Sequence, residues 1–280
     1  MILDWWKFID IKPWPAGALK LPRLQCHRGY WIKGAQENTI EALVLAREKG
    51  AMMTEFDVQL SRDQQPVLFH DENVDRFLLP GFSNKKDRLD VGSNQELLKF
   101  QGRLVKDLTA AELKECVNAP TLESVFQLAT SARARSVPYL MNIELKTDSI
   151  GGTPLERKVS QLIVKYKMQS RVLISSFNPF SLHRMSLFLP NVPRALLVTN
   201  EENPRNNRAL RELWLAPFLS FHMVNFDQRM VDEEFAKRLN KFYIPFAVWT
   251  VNQMDAANDY FRWGAQSIIS DTLIDHIEKI

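Results

Sequence analysis

The chain has little of several things that would point to a particular class of protein. Of its 280 residues only two are cysteines, Cys26 and Cys116, which is too few for a disulfide framework and fits a reducing compartment. No stretch approaches the roughly 20 consecutive apolar residues that a transmembrane helix needs. No basic segment precedes an apolar one at the start of the chain, so we expect no signal peptide and a cytoplasmic location.

The chain also lacks an excess of either charge. Its 36 basic and 33 acidic residues give a formal net charge of +3 and are spread without a basic stripe. We therefore expect no nucleic-acid partner. A hydrophobic content of 45% is enough for one sizeable core, and we predict a single domain over residues 1–280.

Short apolar runs alternate with longer segments that have the apolar period of a helix. Repeated strand and helix pairs are typical of an α/β fold, and eight of them predict a (β/α)₈ TIM barrel. The predicted strands cover residues 23–27, 52–58, 139–145, 171–176, 194–198, 219–224, 245–250 and 266–270. The predicted helices cover residues 39–49, 121–134, 155–167, 179–188, about 206–214, 230–241, 253–262 and 272–279.

One interval is too long to connect a strand to the next helix. We interpret residues 59–119, approximately, as an insertion after the second strand. It begins with a strand-like run, residues 66–70, after a turn at 61–65 that is too short for a crossover helix. This run should therefore pair antiparallel to the second strand. Residues 1–22 are predicted to be an N-terminal extension.

Polar side chains gather at the predicted carboxyl ends of several strands. These ends form one mouth of a (β/α)₈ barrel, where ligand sites lie, so we expect the side chains to converge there. The two-residue period of a strand places Glu55 and Asp57 on the same face. The residues at the strand ends are His27, Glu55, Asp57, Glu144 and Lys146.

Three of these residues offer carboxylate oxygens. Glu55, Asp57 and Glu144 suit Mg²⁺ or Ca²⁺ better than zinc, because no cysteine or histidine spacing of the zinc type is present. Three carboxylates in one mouth repel one another unless a cation or a proton intervenes. We predict one divalent cation as cofactor; the alternative is that two of the carboxylates only form ion pairs with Lys146 or Arg28.

Two histidines and two cations complete the predicted site. His27 and His70 can exchange protons near neutral pH, one as a base and the other as an acid. Arg28 and Lys146 suit a phosphoryl oxygen, although each can also serve as a counter-charge to the carboxylates.

Aromatic side chains end two of the predicted strands. Phe177 and Trp249 could form an apolar wall for the carbon skeleton of a substrate, although a barrel also needs bulky residues to fill it. The other histidines are His183, His222 and His276, and they do not belong to a comparable group of strand-end polar residues. We interpret them as structural or surface residues.

Seven short motifs follow one another along the chain: His27-Arg28-Gly29, Glu37-Asn38-Thr39, Glu55-Phe56-Asp57-Val58, His70-Asp71, Glu144-Leu145-Lys146, Ser176-Phe177 and Trp249-Thr250-Val251-Asn252. In this order they resemble the motifs typical of glycerophosphodiester phosphodiesterases, and the resemblance spans roughly residues 24–271. It implies a (β/α)₈ barrel, with an insertion after the second strand, that hydrolyses glycerophosphodiesters to glycerol 3-phosphate and an alcohol. It also implies metal ligands at Glu55, Asp57 and Glu144, acid–base histidines at His27 and His70, and phosphate contacts from Arg28 and Lys146.

Two other functions remain open at this stage. The first is a lysophospholipase D-type hydrolase that makes a weak contact with a membrane surface through residues 1–15. Ile2, Trp5, Trp6 and Ile9 have helical spacing and could lie in a membrane interface or pack under the closed end of the barrel. The second is a barrel that binds phosphodiesters without hydrolysing them. The oligomeric state does not follow from the sequence.

Overall fold

The computed structural model describes residues 9, 11–78, 95–131, 137–147, 149–201 and 220–279. Within these residues, eight parallel strands close into a barrel, and one further strand pairs antiparallel beside it. The barrel strands are β1 (Leu24–His27), β2 (Met53–Leu60), β4 (Leu140–Leu145), β5 (Val172–Ser176), β6 (Arg194–Val198), β7 (Met223–Asp227), β8 (Phe246–Trp249) and β9 (Ser267–Ser270). The additional strand is β3 (Pro66–Leu68).

Helices connect the strands around the outside of the barrel. The described α-helices are α1 (Ile40–Glu48), α2 (Asp75–Leu78), α3 (Ala110–Val117), α4 (Leu122–Thr130), α5 (Pro154–Lys165), α6 (Pro179–Phe188), α7 (Glu233–Lys241) and α8 (Met254–Arg262). Short 3₁₀ helices cover Gln95–Phe100, Val105–Asp107, Gln228–Met230 and Leu273–Lys279. Among these described helices, none is long and apolar enough to cross a bilayer.

Residues at the start of two helices explain where these helices begin. The side chain of Thr39 accepts a hydrogen bond from the Ala42 N–H and caps α1. At α5, Thr153 and Glu156 form a reciprocal capping box, and Pro154 occupies the first turn, where its missing N–H costs nothing. These caps fix the helices at the end of the barrel where the polar strand ends lie.

The predicted (β/α)₈ barrel is confirmed, and most strand boundaries lie within two residues of those predicted. The strand predicted at 219–224 is wrong in its boundaries, because β7 covers Met223–Asp227. The sequence reading ended that strand before the polar residues Asn225 and Asp227. In β7 these two side chains share the face of Met223, which belongs to the apolar cluster inside the barrel.

Some predicted helices differ from the structure or lie outside it. The C-terminal segment forms the 3₁₀ helix Leu273–Lys279 with a kink at His276, rather than a regular helix. The helix predicted at 121–134 ends at Thr130, while residues 132–136 lie outside the described part of the chain. The helix predicted at about 206–214 also lies outside it.

The predicted hairpin at the start of the insertion is confirmed. β3 pairs antiparallel with the end of β2, with Val58 opposite Leu68. Further along, the insertion buries side chains in an apolar cluster of its own, which includes Phe69, Phe77 and Leu113. The described parts of the insertion, residues 59–78 and 95–119, therefore pair with the end of β2 and pack around an apolar cluster of their own.

Inside the barrel, the side chains form layers. The lowest layer is apolar and includes Met53, Leu140 and Met223, with Leu19 packed against it. The indole N–H of Trp14 donates to the carbonyl of Leu19 at 2.8 Å, so the N-terminal extension closes this end of the barrel.

A polar layer lies above this floor. Asn142 donates from Nδ2 to Gln25 Oε1 at 2.9 Å, and Gln25 donates from Nε2 to Ser267 Oγ at 3.1 Å. Ser175 donates to Asn142 Oδ1 at 2.8 Å. These contacts satisfy the side-chain amides of Gln25 and Asn142, which lie buried beneath the mouth of the barrel.

Part of the N-terminal extension also contacts the outside of the barrel core. Ile9 and Ile11 pack against the main apolar core, and the Lys12 N–H donates to the Phe221 carbonyl at 3.0 Å. Ile2, Trp5 and Trp6 lie outside the described residues. Ile9, the described residue of this stripe, therefore packs against the main core, and both alternatives for the stripe stay predictions.

His222 is a structural residue, as expected from its isolated position in the sequence. It is 3% exposed, and its Nδ1 accepts a hydrogen bond from the backbone N–H of Arg194 at 3.0 Å. Burial, together with the charge of Arg194, lowers the pKa of His222 from 6.5 to about 4. Below pH 6.5, His222 takes up a proton in the unfolded chain but stays neutral in the folded chain. The contribution of neutral, buried His222 to the free energy of unfolding is therefore lost as the pH falls from 6.5 towards 4.

This linkage gives a testable pH dependence. Between about pH 7 and about pH 4.5, we expect the free energy of unfolding of the wild type to fall by roughly 2 kcal/mol more than that of His222→Asn. The asparagine Oδ1 can accept the same backbone N–H without titrating. Urea unfolding at each pH measures the difference, and His183→Asn, at an exposed histidine, is the control that should keep the wild-type slope. Equal slopes for His222→Asn and the wild type would contradict the prediction.

Candidate active site

A cavity of about 490 Å³ opens at the carboxyl ends of the barrel strands. The residues predicted from the sequence meet there, with the exception that Asp57 lies buried behind the cavity wall, against Arg28 and Lys146. The predicted residues that line the cavity are His27, Arg28, Glu55, His70, Glu144, Lys146, Phe177 and Trp249.

Three carboxylates converge on one point. Glu55 and Asp57 lie on β2, and Glu144 lies directly opposite Asp57 on the neighbouring strand β4. One oxygen from each of the three lies within 4.8 Å of the others, and all three side chains are buried. This donor set, made only of carboxylate oxygens, fits a hard divalent cation such as Mg²⁺ or Ca²⁺.

The electrostatics of the carboxylates favour a cation at this point. Burial and the charge of Asp57 raise the pKa of Glu55 to about 8. Burial would raise the pKa of Asp57 as well, but Lys146 and Arg28 outweigh it and hold that pKa far below its usual range. The protein cations thus stabilise Asp57 as a carboxylate and leave Glu55 in need of a proton or a further positive charge.

Asp57 is held from three sides. Arg28 Nε lies 3.2 Å from its Oδ2, and Lys146 Nζ lies 3.4 Å from its Oδ1. The Asn38 side chain donates to Oδ2 at 2.9 Å and accepts from the Asp57 N–H at 3.1 Å. The ion pairs considered as the alternative role of Arg28 and Lys146 therefore exist, and both cations also line the cavity.

The backbone of the first motif is bent to place Arg28. Arg28 has a φ of +55° and its N–H donates to Glu55 Oε2 at 3.2 Å, while Gly29 follows with a φ of +80°. A Cβ on Gly29 would lie 2.8 Å from the backbone and side chain of Ala42 on α1. Only glycine allows this close approach, which explains its position directly after the histidine and arginine.

Each of the two predicted acid–base histidines has a carboxylate partner. His27 Nδ1 lies 2.6 Å from Asp271 Oδ1, and His70 Nδ1 lies 2.6 Å from Asp71 Oδ1. The second nitrogen of His27, Nε2, lies 3.8 Å from Glu55 Oε2. This pairing leaves the Nε2 atom of each imidazole for the cavity.

The environment of His27 favours its protonated form. Burial alone favours the neutral ring, but the hydrogen bond with Asp271 and the charge of Glu55 outweigh it and raise the pKa of His27. Asp271 is in turn held by the Asn252 amide, which donates to its Oδ2 at 2.9 Å. The segment after β9 thus orients a histidine of β1.

Two aromatic rings form one side of the cavity. Phe177 and Trp249 pack edge to face with centroids 5.6 Å apart, and the Trp249 indole donates to the Asn225 carbonyl at 3.0 Å.

A second, smaller cavity of about 280 Å³ adjoins the first, and Glu72 and Lys146 border both cavities. That cavity reaches Lys106 in the insertion and the start of α5.

The sequence reading missed three residues that hold this site. Asp271 follows the last strand, so the rule that identified the other strand-end residues would also have found it. Glu37 stands in the motif Glu37-Asn38-Thr39, but no role was predicted for it, and Arg76 gave no signal. Glu37 accepts from Arg28 Nη1 at 2.9 Å and from Arg76, a contact that depends on how two segments 39 residues apart fold together.

Comparison with known proteins identifies relatives of this chain in sequence and in structure. The profile of the Glycerophosphoryl diester phosphodiesterase family matches residues 27–274. A glycerophosphodiester phosphodiesterase of Caldanaerobacter subterraneus subsp. tengcongensis is 30% identical over 262 residues, which cover 90% of this chain and 96% of that protein. The match therefore includes the barrel, the insertion and all the residues placed in the cavity.

Solved structures show the same fold. A glycerophosphodiester phosphodiesterase of Thermotoga maritima aligns with a TM-score of 0.64 at 23% identity, covering 93% of this chain and 98% of that one. A phosphodiesterase of Oleispira antarctica, solved in complex with its product sn-glycerol-3-phosphate, aligns with a TM-score of 0.66 at 23% identity and covers 92% of this chain and 96% of that one. From the family profile and the curated relative together, the chain belongs to the glycerophosphodiester phosphodiesterase family of enzymes.

Proposed function

We propose that this chain hydrolyses glycerophosphodiesters to glycerol 3-phosphate and an alcohol, in a reaction that requires one divalent cation and two histidines. The observation that carries the proposal is the convergence, in one cavity, of three buried carboxylates with two imidazoles that each have a carboxylate partner. Family membership supports the substrate class.

Glu55, Asp57 and Glu144 are the residues that would hold the cation, Mg²⁺ or Ca²⁺. When bound, the cation would supply Lewis-acid chemistry, polarising a phosphoryl oxygen and lowering the pKa of a hydroxyl group. Arg28 and Lys146 line the same cavity and would neutralise negative charge as it develops on the phosphoryl oxygens. The ion pairs that Arg28 and Lys146 make with Asp57 hold both side chains at the wall of the cavity.

The histidines would move the protons. An attacking hydroxyl or water oxygen forms a bond to phosphorus while the bond from phosphorus to the leaving oxygen breaks. One imidazole accepts the proton of the attacking oxygen, and the other donates a proton to the leaving alkoxide. Asp271 and Asp71, on the Nδ1 atoms of His27 and His70, hold both rings so that Nε2 carries out the transfer.

The shape of the cavity suggests how the diester lies in it. The glycerol carbons would pack against Phe177 and Trp249, whose edge-to-face pair forms an apolar wall. The alcohol would extend towards the smaller cavity that Lys106 of the insertion borders. The identity of the insertion residues would then influence which alcohol is accepted.

Removal of the cation tests the proposal directly. Treatment of the purified chain with a chelator is expected to abolish glycerol 3-phosphate release from sn-glycero-3-phosphocholine, and added Mg²⁺ or Ca²⁺ should restore it. The release of product is measured with a coupled glycerol 3-phosphate dehydrogenase assay. Undiminished activity after chelation, with calorimetry showing no cation bound, would refute the cation requirement.

Measurement of the released alcohol, which is choline for both sn-glycero-3-phosphocholine and lysophosphatidylcholine, separates the two alternative functions. A panel of glycerophosphodiesters and lysophospholipids should show turnover of the water-soluble diesters. Turnover of lysophospholipids alone would favour the lysophospholipase D-type enzyme. Binding of the diesters with both ions present, but without turnover, would favour the non-catalytic barrel.

A further inference from the structure

Arg76, on α2 in the insertion, contacts two carboxylates with all three nitrogens of its guanidinium group. Its Nε donates to Asp71 Oδ2 at 2.6 Å. Its Nη1 and Nη2 donate to Glu37 Oε2 and Oε1 at 3.0 and 2.5 Å. Such a two-pronged contact fixes the orientation of both partners better than a single ion pair would.

Each of these carboxylates has a second partner in the active site. Asp71 holds His70 through its other oxygen, at 2.6 Å. Glu37 accepts from Arg28 Nη1 at 2.9 Å, and Arg28 Nε lies 3.2 Å from Asp57. An unbroken series of hydrogen bonds and ion pairs therefore runs from His70 through Asp71, Arg76, Glu37 and Arg28 to Asp57.

The middle of this series is shielded from water. Glu37 is 4% exposed, and although its burial opposes ionisation, the guanidinium groups of Arg76 and Arg28 lower its pKa. Water does not readily reach this position to replace a lost partner of Glu37. Removal of the Arg76 guanidinium would therefore shift Glu37 and, with it, the guanidinium of Arg28. Neither Glu37 nor Arg76 lines the cavity, so both would act through other residues rather than on the substrate.

We propose that Arg76 is a positioning residue that, through Asp71 and Glu37, holds the imidazole of His70 and the guanidinium of Arg28 in their working orientations. This inference rests on the roles given to His70 and Arg28 in the proposed function. It gives the insertion a role in positioning the active site, because Arg76 lies on α2 of the insertion. Phe77, the next residue on α2, is buried in the apolar cluster of the insertion, with its ring 5.3 Å from that of Phe69.

The first test compares Arg76→Gln with Arg62→Gln. Arg62 also joins two segments of this region, through Glu112 Oε2 at 3.2 Å, but has no contact with the active site. Loss of a group that orients a functional residue typically costs 10- to 100-fold, so we expect Arg76→Gln to lower kcat by about that factor. Arg62→Gln should stay within about twofold of the wild type, since an exposed ion pair contributes little.

The split between kcat and KM separates positioning from general loosening of the structure. His70 faces Asp71 on its own segment, and Arg76 lies behind Asp71. Arg76→Gln should lower kcat through His70 and raise KM through Arg28, because Glu37 loses one of its two guanidinium partners. Asp71→Asn acts on His70, so it should lower kcat and leave KM near the wild-type value.

These outcomes decide the inference separately from the proposed function. A lower kcat in both Arg76→Gln and Asp71→Asn, with a higher KM in Arg76→Gln and neither change in Arg62→Gln, would support it. An Arg76→Gln enzyme with the kcat and KM of Arg62→Gln would overturn it, while a His70→Ala enzyme with the expected loss of kcat would leave the proposed function intact. If Arg76→Gln does not fold, Asp71→Asn keeps the Arg76 contact with Glu37, and a wild-type kcat there overturns the inference. A fully active His70→Ala enzyme would refute the proposed function first.

Discussion

His27→Ala and His70→Ala should each lower kcat for sn-glycero-3-phosphocholine by about 10²- to 10⁴-fold, the usual cost of losing a general acid or base. Each imidazole ring lies between a carboxylate and the cavity. Nδ1 of His27 is 2.6 Å from Asp271, and Nδ1 of His70 is 2.6 Å from Asp71. Alanine removes the proton carrier and leaves the partner carboxylate in place. KM should change much less, because the phosphate contacts assigned to Arg28 and Lys146 remain.

Steady-state kinetics at saturating Mg²⁺ or Ca²⁺ measure this effect. His183→Ala, at an exposed histidine outside the cavity, is the matched control and should retain wild-type turnover. Circular dichroism shows whether each variant is folded. A folded His70→Ala or His27→Ala enzyme with near-normal kcat would remove that histidine from the mechanism.

Glu144→Gln should weaken binding of the divalent cation by more than about 100-fold, beyond the 10- to 100-fold typical for residues that only support a ligand. The substitution keeps the shape of the side chain but replaces one of three converging carboxylates with a neutral amide. Lys146 Nζ, now 3.1 Å from Glu144 Oε1, would lose this anionic partner and keep Asp57. Activity should fall in parallel and recover only at high cation concentrations.

Isothermal titration calorimetry with Ca²⁺ and Mg²⁺ measures the affinity of each variant. Glu72→Gln is the control, because Glu72 also lines the cavity but does not belong to the carboxylate cluster. It should bind the cation as the wild type does. Equal affinities for Glu144→Gln and Glu72→Gln would exclude Glu144 as a ligand.

The position of most site residues followed from a single geometric rule. In a parallel barrel the carboxyl ends of all strands share one mouth, so residues as distant as His27 and Glu144 could be placed together from the sequence. The two-residue period of β2 by itself places Glu55 and Asp57 on one face. Backbone periodicity was sufficient because these side chains belong to regular strands.

Other features of the site and the fold could not be predicted from the period of a strand. Glu37 lies in a loop and Arg76 on the short helix α2, and their relative position depends on how the insertion packs beside the barrel. The strand β7 was misplaced because Asn225 and Asp227 look like loop residues, although the barrel interior tolerates them. In that interior Asp227 accepts a hydrogen bond from Thr199 at 2.8 Å, which no local pattern reveals.

The packing of Trp14 and Leu19 has a consequence for the exchange of small molecules. In the described part of the chain, Leu19 lies in the apolar layer at the amino ends of the strands, whereas the cavity of about 490 Å³ opens at their carboxyl ends. On the proposed function, a diester would enter and both products would leave at the carboxyl ends of the strands. A bound product would therefore block the next diester.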